Sequence, residues 1–387
     1  MFWLLERVLP ESAAAEPQAV RRRYDPGRPD LRDVLDHQHG WEPAGGALSD
    51  RIGRKSVVIF GLVSSAVITL ILGFAERFSV FVAAVLVVGV FASVGNPARQ
   101  AMVADLLKDS KRAEGFGILR VAFNLSVTIG PAIGGLLAAR SYLLLFITDA
   151  VISTLTAGII VLALPETRPT LAQGGRKESM GQTFAGYGRV LRDSLFMAFS
   201  GMCVWMTMVY IQMNSTLGVY LRDTHGIAPQ GYGYILSLNA ALVVLFQFYV
   251  TRRIQPVPQF LAMAAGTVLY AFGFALYGLF LLAMVIITIG EMMVAPVSQA
   301  LVAKLAPAEM RGRYMAAFGF TWVIPGAIGP LLAGLVMDNA DPRLVWYAAG
   351  LLGLVAAAGF SALHQRAGER VAPAPERLPG EAAARAS

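Results

Sequence analysis

A run of 37 residues without a single charged side chain, Ile254–Gly290, constrains the fold of this chain most. One straight helix of that length would be about 55 Å long at 1.5 Å per residue, whereas the hydrocarbon core of a bilayer is about 30 Å thick. We therefore interpret the run as two membrane-spanning segments joined by a tight turn near 278–281. Because backbone groups in lipid must be hydrogen-bonded internally, the segments are expected to be helices.

Similar apolar runs, separated by short charged loops, fill the chain from residue 56 to residue 363. Ten of them reach the roughly 20 residues that a membrane-spanning helix needs. They lie at 56–75, 78–101, 116–139, 143–164, 195–221, 232–251, 257–279, 281–303, 314–337 and 344–363. Only 15% of the residues are charged, well below the roughly 25% of a soluble domain. The sequence predicts an all-α, multi-pass membrane protein.

The sequence also excludes several classes of function. One cysteine and four scattered histidines provide no metal site, and the chain lacks the GxxxxGKS/T loop that binds a nucleotide. The basic residues behind the net charge of +7 stand in short clusters between apolar runs, a membrane pattern and not a nucleic-acid-binding surface. No nucleophile–base pair indicates an enzyme. We expect no cofactor, no metal and no nucleic acid.

The lysines and arginines between the runs assign each loop to one side of the membrane. If the loop holding Arg51 and Lys55 is cytoplasmic, 20 basic residues fall on the cytoplasmic side and 4 on the opposite side. Cytoplasmic loops carry an excess of lysine and arginine. We therefore predict that the loop at 166–193 and the C-terminus are cytoplasmic.

The chain contains an internal repeat with an offset of 199 residues. From 97 to 136, 12 of 40 ungapped positions are identical to the positions 199 residues later, where ordinary composition predicts roughly 3 by chance. The matches include Pro97 with Pro296, Gln100 with Gln299 and Arg112 with Arg311. Two unrelated apolar helices would not share a polar Gln and a loop Arg, so we infer a duplication. An even number of spans separates the copies, and such parallel repeats are typical of secondary transporters.

Two motifs resemble those of the major facilitator superfamily. The segment Gly46-Ala-Leu-Ser-Asp-Arg-Ile-Gly-Arg-Lys55 resembles the loop motif after the second helix of this family. The fifth-helix motif of its bacterial drug:proton antiporters is matched by Gly117, Gly130, Pro131, Gly134 and Gly135. This glycine face is expected to seal helices of the two halves together, with ordinary packing of small residues as the alternative.

The resemblance implies the major facilitator fold, two pseudo-symmetric helical bundles with twelve helices, of which ten are recognisable here. The expected divisions are a polar segment at 1–45 in place of helices one and two, an N-terminal bundle at 46–165, a cytoplasmic linker at 166–193, a C-terminal bundle at 194–366 and a disordered tail at 367–387. One departure concerns the fourth helix, where the family's arginine four residues before a glycine is replaced by Val85.

Residues 1–45 are densely charged where the family has its first two helices. The repeat offset maps the missing helices onto this segment, so its length is nearly right while its hydrophobicity is absent. A shifted reading frame or a wrong start explains this pattern better than a simple deletion. A genuine cytoplasmic arm is the remaining alternative.

The loop motif predicts a clasp between the halves. Its expected members are Gly46, Asp50, Arg51, Gly53, Arg54 and Asp105. By resemblance, Asp50 is expected at the N-terminus of the helix that begins near Arg311, and the helix dipole favours a carboxylate at such a position. By resemblance, Arg54 pairs with Asp105 at the end of the fourth helix. A plain loop rich in positive charge is the alternative.

Charged side chains inside the spans are candidates for transport chemistry, because a charge there costs about 2.5–3.5 kcal/mol on insertion scales. Glu291 lies midway along a span that lines the cavity by resemblance. A carboxyl group in a low dielectric can hold and release a proton near neutral pH. We predict proton coupling at Glu291, with Asp149 as the next candidate. Structural pairing with a neighbouring helix is the alternative for both acids.

Four other residues are candidates for the wall of a substrate cavity. Arg120 and Asn124 are spaced i, i+4 and share one face of the fifth helix, although Arg120 can also extend toward the nearby helix end. Trp205 and Gln212 share one face of the seventh helix. Packing or lipid contact is the alternative for this second pair.

The leading interpretation is a secondary transporter that exports small amphipathic compounds in exchange for protons by alternating access. The alternatives are a proton symporter for a small metabolite and a non-transporting, truncated or frame-shifted family member. The expected partners are a small-molecule substrate, protons and the lipid bilayer. We expect a monomer in the bacterial cytoplasmic membrane.

Overall fold

The computed structural model describes residues 41–75, 77–167, 180–276 and 279–367. The polar segment at 1–45 therefore lies outside the described residues except for its last five positions. Residues 168–179 of the linker and all but the first residue of the tail at 367–387 also lie outside them. Within the described residues the ordered structure is helical and contains no strand.

The described part of the first half, residues 42–163, forms five helices. They are α1 (Glu42–Ile52), α2 (Arg54–Gly73), α3 (Phe78–Leu106), α4 (Asp109–Arg140) and α5 (Tyr142–Ala163). Two short helices follow in the linker region, α6 (Met180–Ala185) and α7 (Tyr187–Arg192).

The second half, residues 194–367, forms seven helices in the described residues. They are α8 (Ser194–Ser215), α9 (Leu217–His225), α10 (Pro229–Ile254), α11 (Gln259–Ala275), α12 (Phe280–Leu305), α13 (Arg311–Asn339) and α14 (Arg343–Ala367), with a 3₁₀ turn at Ala308–Met310. The uncharged run is divided between α11 and α12, as its length requires.

The predicted span at 195–221 is interrupted in the structure, because α8 ends at Ser215 and α9 begins at Leu217. Ser215 Oγ donates to the Ile211 carbonyl at 2.9 Å, and Thr216 Oγ1 donates to Gln212 Oε1 at 2.5 Å. Hydroxyl groups that bond back to the preceding turn often bend helices.

Among the described residues, eight helices are long and apolar enough to cross a membrane, namely α2, α4, α5, α8, α10, α12, α13 and α14. The other two predicted spans coincide with α3 and with α11, which is a shorter apolar helix of 17 residues. The all-α membrane fold is therefore confirmed, while the count of ten spans stays a prediction.

The predicted loop motif is largely helical, and its turn is confined to Gly53. Helix α1 begins with an acidic residue in its first turn and a proline at its first positions, Glu42 and Pro43, both favourable at a helix start. Gly53 has φ 113°, which L side chains rarely adopt. Glu166 then accepts a hydrogen bond from the Arg54 backbone N–H at 2.8 Å and so caps the start of α2.

The helices and their contacts repeat along the chain. Helices α3, α4 and α5 correspond to α12, α13 and α14, and α1 packs on α13 as α10 packs on α4. The repeated loop arginines make equivalent bonds, since Arg112 Nε donates to the Ala104 carbonyl at 2.8 Å and Arg311 Nε donates to the Ala303 carbonyl at 3.2 Å. This agreement 199 residues apart supports the inferred duplication.

Candidate functional site

At one end of the molecule, which we call the clasp end, a buried network of charges joins the two halves. The carboxylate of Asp50 accepts hydrogen bonds from the Gly312 N–H at 2.8 Å, the Arg313 N–H at 3.1 Å and Arg313 Nε at 3.2 Å. Both backbone donors belong to the first turn of α13, where N–H groups have no partner within the helix. Because the helix dipole also favours a negative charge there, Asp50 fastens α1 to α13.

Arg54 lies at the centre of the same network and is almost fully buried. Its Nη2 is 3.6 Å from Asp50 Oδ1 and donates to the Ala308 carbonyl at 2.8 Å. Its Nη1 forms an ion pair with Asp105 at the end of α3, and Asp105 also pairs with Arg311 of α13. One guanidinium group therefore contacts both halves. Arg51, partly exposed on α1, does not take part in these bonds.

Two glycines allow α1 to approach α13 closely enough for these bonds to form. A Cβ atom at Gly46 would lie 2.7 Å from the Ala316 Cβ, and a Cβ at Gly312 would lie 2.8 Å from Asp50 Oδ1. Side-chain carbons do not approach other atoms this closely. The contact therefore requires glycine at both positions.

The pseudo-equivalent contact between α10 and α4 is weaker. Tyr249 stands at the position that corresponds to Asp50, and the polar contacts there are a hydrogen bond from Gln255 Nε2 to the Ser110 carbonyl at 2.7 Å and an ion pair of Arg252 with Glu114 at 3.8 Å. Arg252 is exposed, so this ion pair contributes little.

About midway along α12, a second buried pair of charges joins the halves. Glu291 is 1% exposed and forms an ion pair with Arg120 of α4. Its Oε1 also accepts a hydrogen bond from the Tyr210 hydroxyl at 2.8 Å, and its Oε2 accepts one from Asn239 Nδ2 at 2.6 Å. Asn239 also donates to Thr288 Oγ1 at 2.9 Å. Each carboxylate oxygen thus has a donor, and three helices converge on one acid.

Aromatic rings adjoin this centre. The Tyr210 ring lies 5.8 Å from the Tyr270 ring and 5.6 Å from the Trp322 ring, edge to face with the latter. Tyr270 is buried, whereas Trp322 is 40% exposed. The Arg120 side chain is 18% exposed, whereas that of Glu291 is 1% exposed.

Sequence reasoning selected Arg120 and Glu291 separately, and the structure brings them together. It did not select Tyr210, which lies about 140° around α8 from Trp205 at 3.6 residues per turn. The face of α8 that was chosen from the sequence is therefore not the face that reaches Glu291. One hydroxyl among apolar neighbours leaves no periodic signal in a sequence.

The other cavity candidates do not reach Glu291 in this conformation. Trp205 is exposed, and the other two have hydrogen-bond partners on their own helices. Gln212 is buried, donates to the Met208 carbonyl at 3.2 Å and accepts from a side chain of its own helical segment. Asn124 donates to the Arg120 carbonyl at 3.0 Å, within α4. A role of these residues in a substrate cavity stays a prediction.

The second acid, Asp149, is exposed on α5, and its carboxylate makes no hydrogen bond or ion pair within the described residues. It is therefore not part of the centre at Glu291. Across the same described ranges, no group of three or more His, Cys, Asp and Glu side chains could hold a metal ion.

The glycines of α4, the helix that also contains Pro131, lie in two different settings. A Cβ at Gly117 would be 3.5 Å from Thr251 Oγ1 of α10, in the other half. A Cβ at Gly130 or Gly135 would meet nothing within 4 Å, and one at Gly134 would meet only a side chain of α5. In this conformation the halves are in contact at Gly117 and the rest of the face is open. The seal along that face stays a prediction.

The sequence matches the family described as Major Facilitator Superfamily over residues 42–330 and again over residues 220–386. It is 26% identical over 340 residues to a Na(+), Li(+), K(+)/H(+) antiporter of Planococcus maritimus, a match that covers 79% of this chain and 78% of the relative. It is also 26% identical over 348 residues to the multidrug resistance protein MdtH of Shigella flexneri, covering 86% of this chain and 84% of the relative.

Solved structures share the fold. The Escherichia coli fucose:proton symporter FucP superposes with a TM-score of 0.68 at 15% identity, covering 86% of this chain and 94% of that protein. A bacterial homologue of the iron transporter ferroportin superposes with a TM-score of 0.66 at 17% identity, covering 86% and 89%. Together with the match along most of the sequence, this shows that the chain belongs to the Major Facilitator Superfamily of membrane transporters.

Proposed function

We propose that this transporter exports small amphipathic compounds in exchange for protons and that Glu291 carries the proton. The observation that supports this most is the buried ion pair of Glu291 with Arg120, which connects the two halves midway along α12. Protonation of Glu291 removes its charge and therefore its attraction to the guanidinium. Uptake of one proton thus changes the relative stability of the two arrangements of the halves, as coupling requires.

Two relatives support exchange over uptake, since one is named as a cation/proton antiporter and the other as a multidrug resistance protein. The clasp supplies the second element that alternating access needs, a closure at one end only. In this conformation the clasp end is closed by Asp50 and Arg54, while the glycine face of α4 beyond Gly117 is open. From the distribution of basic residues, we infer that the clasp end faces the bacterial cytoplasm.

The orientation is tested by labelling. A single cysteine at Gly188, exposed in α7, should react with a membrane-impermeant maleimide only from the cytoplasmic side, and one at Asn339, exposed at the end of α13, only from outside. The native Cys203 is fully buried and can be replaced by alanine in both variants. The reverse pattern would show that the clasp end faces outward.

Glu291→Gln should abolish transport driven by a pH gradient. Glutamine keeps the size and hydrogen bonding of the protonated acid but cannot release a proton. The measurement is ethidium uptake into inside-out membrane vesicles with and without an imposed pH gradient, where the variant should fall to the rate of vesicles that lack the protein. Where the parent does not move ethidium, proton movement on addition of NaCl or KCl is followed with acridine orange.

The control is Asp338→Asn, which removes the charge of an exposed carboxylate at the opposite end of α13 and should transport like the parent. If Glu291→Gln drives ethidium against its gradient as well as the parent does, Glu291 is a structural acid. Ethidium movement in the same direction as protons would favour the symporter instead.

A further inference from the structure

A proline interrupts the backbone hydrogen bonding of α12 close to Glu291. Pro296 stands inside this helix. A proline within a helix has no N–H for the carbonyl four residues before it, and its ring prevents a close approach to that carbonyl. Here the carbonyl belongs to Met292, the residue after Glu291. The helix therefore lacks one backbone hydrogen bond directly beside the proposed proton carrier.

The side chain of Gln247 on α10 supplies the missing donor. Its Nε2 donates to the Met292 carbonyl at 2.9 Å and to Thr251 Oγ1 at 2.9 Å. Gln247 is fully buried, and its Oε1 accepts no hydrogen bond within the described residues, so the two donated bonds orient the amide. Because a buried carbonyl without a donor is costly, we propose that Gln247 is a positioning residue, which replaces the N–H that Pro296 lacks and fixes the bend of α12 next to Glu291.

The internal repeat shows that this bond is not a general feature of the two halves. The proline is repeated in the first half as Pro97 of α3, so the carbonyl of Ser93 loses its backbone donor in the same way. The position that corresponds to Gln247 is Leu48, whose side chain cannot donate. The side-chain donor is therefore specific to the second half, which also contains the buried acid.

Helix α4 of the first half covers the Gln247 side chain. A Cβ at Gly117 would lie 3.6 Å from Gln247 Cγ and 3.5 Å from Thr251 Oγ1, so the two helices are in van der Waals contact here. When α4 separates from α10, water reaches the amide and competes for its hydrogen bonds. The bend of α12 is therefore held while α4 and α10 are in contact and released when they separate. Gln247 thus connects the contact between the halves to the placement of Glu291.

The role as substitute donor is tested by thermal unfolding of the purified transporter in detergent. Gln247→Met keeps the length of the side chain but cannot donate, so the midpoint of unfolding should fall by about 2–5 °C. Pro296→Ala returns a backbone N–H to the Met292 carbonyl, and in this background Gln247→Met should change the midpoint by less than about 1 °C. An equal fall in both backgrounds would show that Gln247 acts by packing and would overturn the proposal.

The positioning role rests on the proposed function and is tested by the pH dependence of ethidium uptake into inside-out vesicles, or of the acridine orange response where ethidium is not moved. Within the described residues, the charged or titratable groups around Glu291 are Arg120 on α4, Tyr210 on α8 and, beyond it, Tyr270 on α11. Because such neighbours set the pH at which a carboxylate takes up a proton, a displaced α12 in Gln247→Met should shift the pH of half-maximal transport by about half a unit or more.

Two controls separate this effect from a general loss of stability. Phe360→Leu changes a fully buried ring of α14 that packs against Phe199; it should lower the unfolding midpoint to a similar extent but leave the pH profile unchanged. Gln230→Met, the same change at an exposed residue of α10, should alter neither. An unshifted profile in Gln247→Met contradicts the positioning role. Failure of the proposed function would appear separately, as undiminished transport by Glu291→Gln, and would leave the unfolding result intact.

Discussion

Asp50→Asn should lower the transport rate by at least about tenfold while leaving membrane insertion intact, because breaking a buried ion pair costs about 3–5 kcal/mol. The carboxylate accepts from two N–H groups at the start of α13 and lies against Arg54 and Arg313. Asparagine retains one acceptor oxygen but removes the negative charge that both guanidinium groups and the helix dipole require. The clasp end should therefore open more readily.

The measurement combines transport with the rate at which a maleimide labels a cysteine placed at Thr251, a buried position of α10 that faces Gly117 of the other half. This labelling should become faster in Asp50→Asn. Arg54→Gln should have a similar effect, and the double variant should lose much less than the sum of the two, as for members of one network. Additive losses would show that the residues act independently. Asp223→Asn, the same change at an exposed aspartate, is the control and should behave like the parent.

Gly312→Ala should lower the transport rate and speed the labelling of a cysteine at Thr251, with an effect second in size to that of Asp50→Asn. The new Cβ would lie 2.5 Å from the Gly46 carbonyl oxygen and 2.8 Å from Asp50 Oδ1, so α1 must move away from α13 and its hydrogen bonds must lengthen. Overpacking of this kind costs about 1–3 kcal/mol, which corresponds to roughly 5- to 150-fold in the equilibrium between closed and open states.

The matched control lies on the same helix. A Cβ at Gly326 would meet nothing within 4 Å, so Gly326→Ala should leave transport and labelling of Thr251→Cys unchanged. An equal loss in both alanine variants would indicate that α13 needs glycine for flexibility, and that close approach to α1 is not the reason.

The sequence allowed the helices and the repeat to be predicted because each depends on local patterns, whereas the position of Asp50 at the start of α13 was predicted from the resemblance to the family. Apolar runs require internally bonded backbone in lipid, and an acid beside a helix start is favoured by the dipole. Arg120 and Glu291 were both identified as charges within spans. Their pairing was not predicted, because helical periodicity gives the face of a helix but not the helix that this face will meet.

The repeat could not supply that pairing either. An offset of 199 places Glu291 on Ala92 and Arg120 on Gly319, so neither charge has a counterpart in the other half. The centre is therefore present in one interface of two. Tyr210 was missed for a related reason, since a hydroxyl shows its role only when the acceptor on another helix is known.

The unequal fastening of the two pseudo-equivalent contacts has a kinetic consequence. Helix α1 is held to α13 by a buried carboxylate and by close contact at two glycines. Helix α10 is held to α4 by one hydrogen bond from the Gln255 side-chain amide and by an exposed ion pair. Opening should therefore begin where α4 contacts α10, and the contact between α1 and α13 should break last. The lifetime of the closed clasp end is then set mainly by the contact between α1 and α13, to which the contact between α4 and α10 adds little.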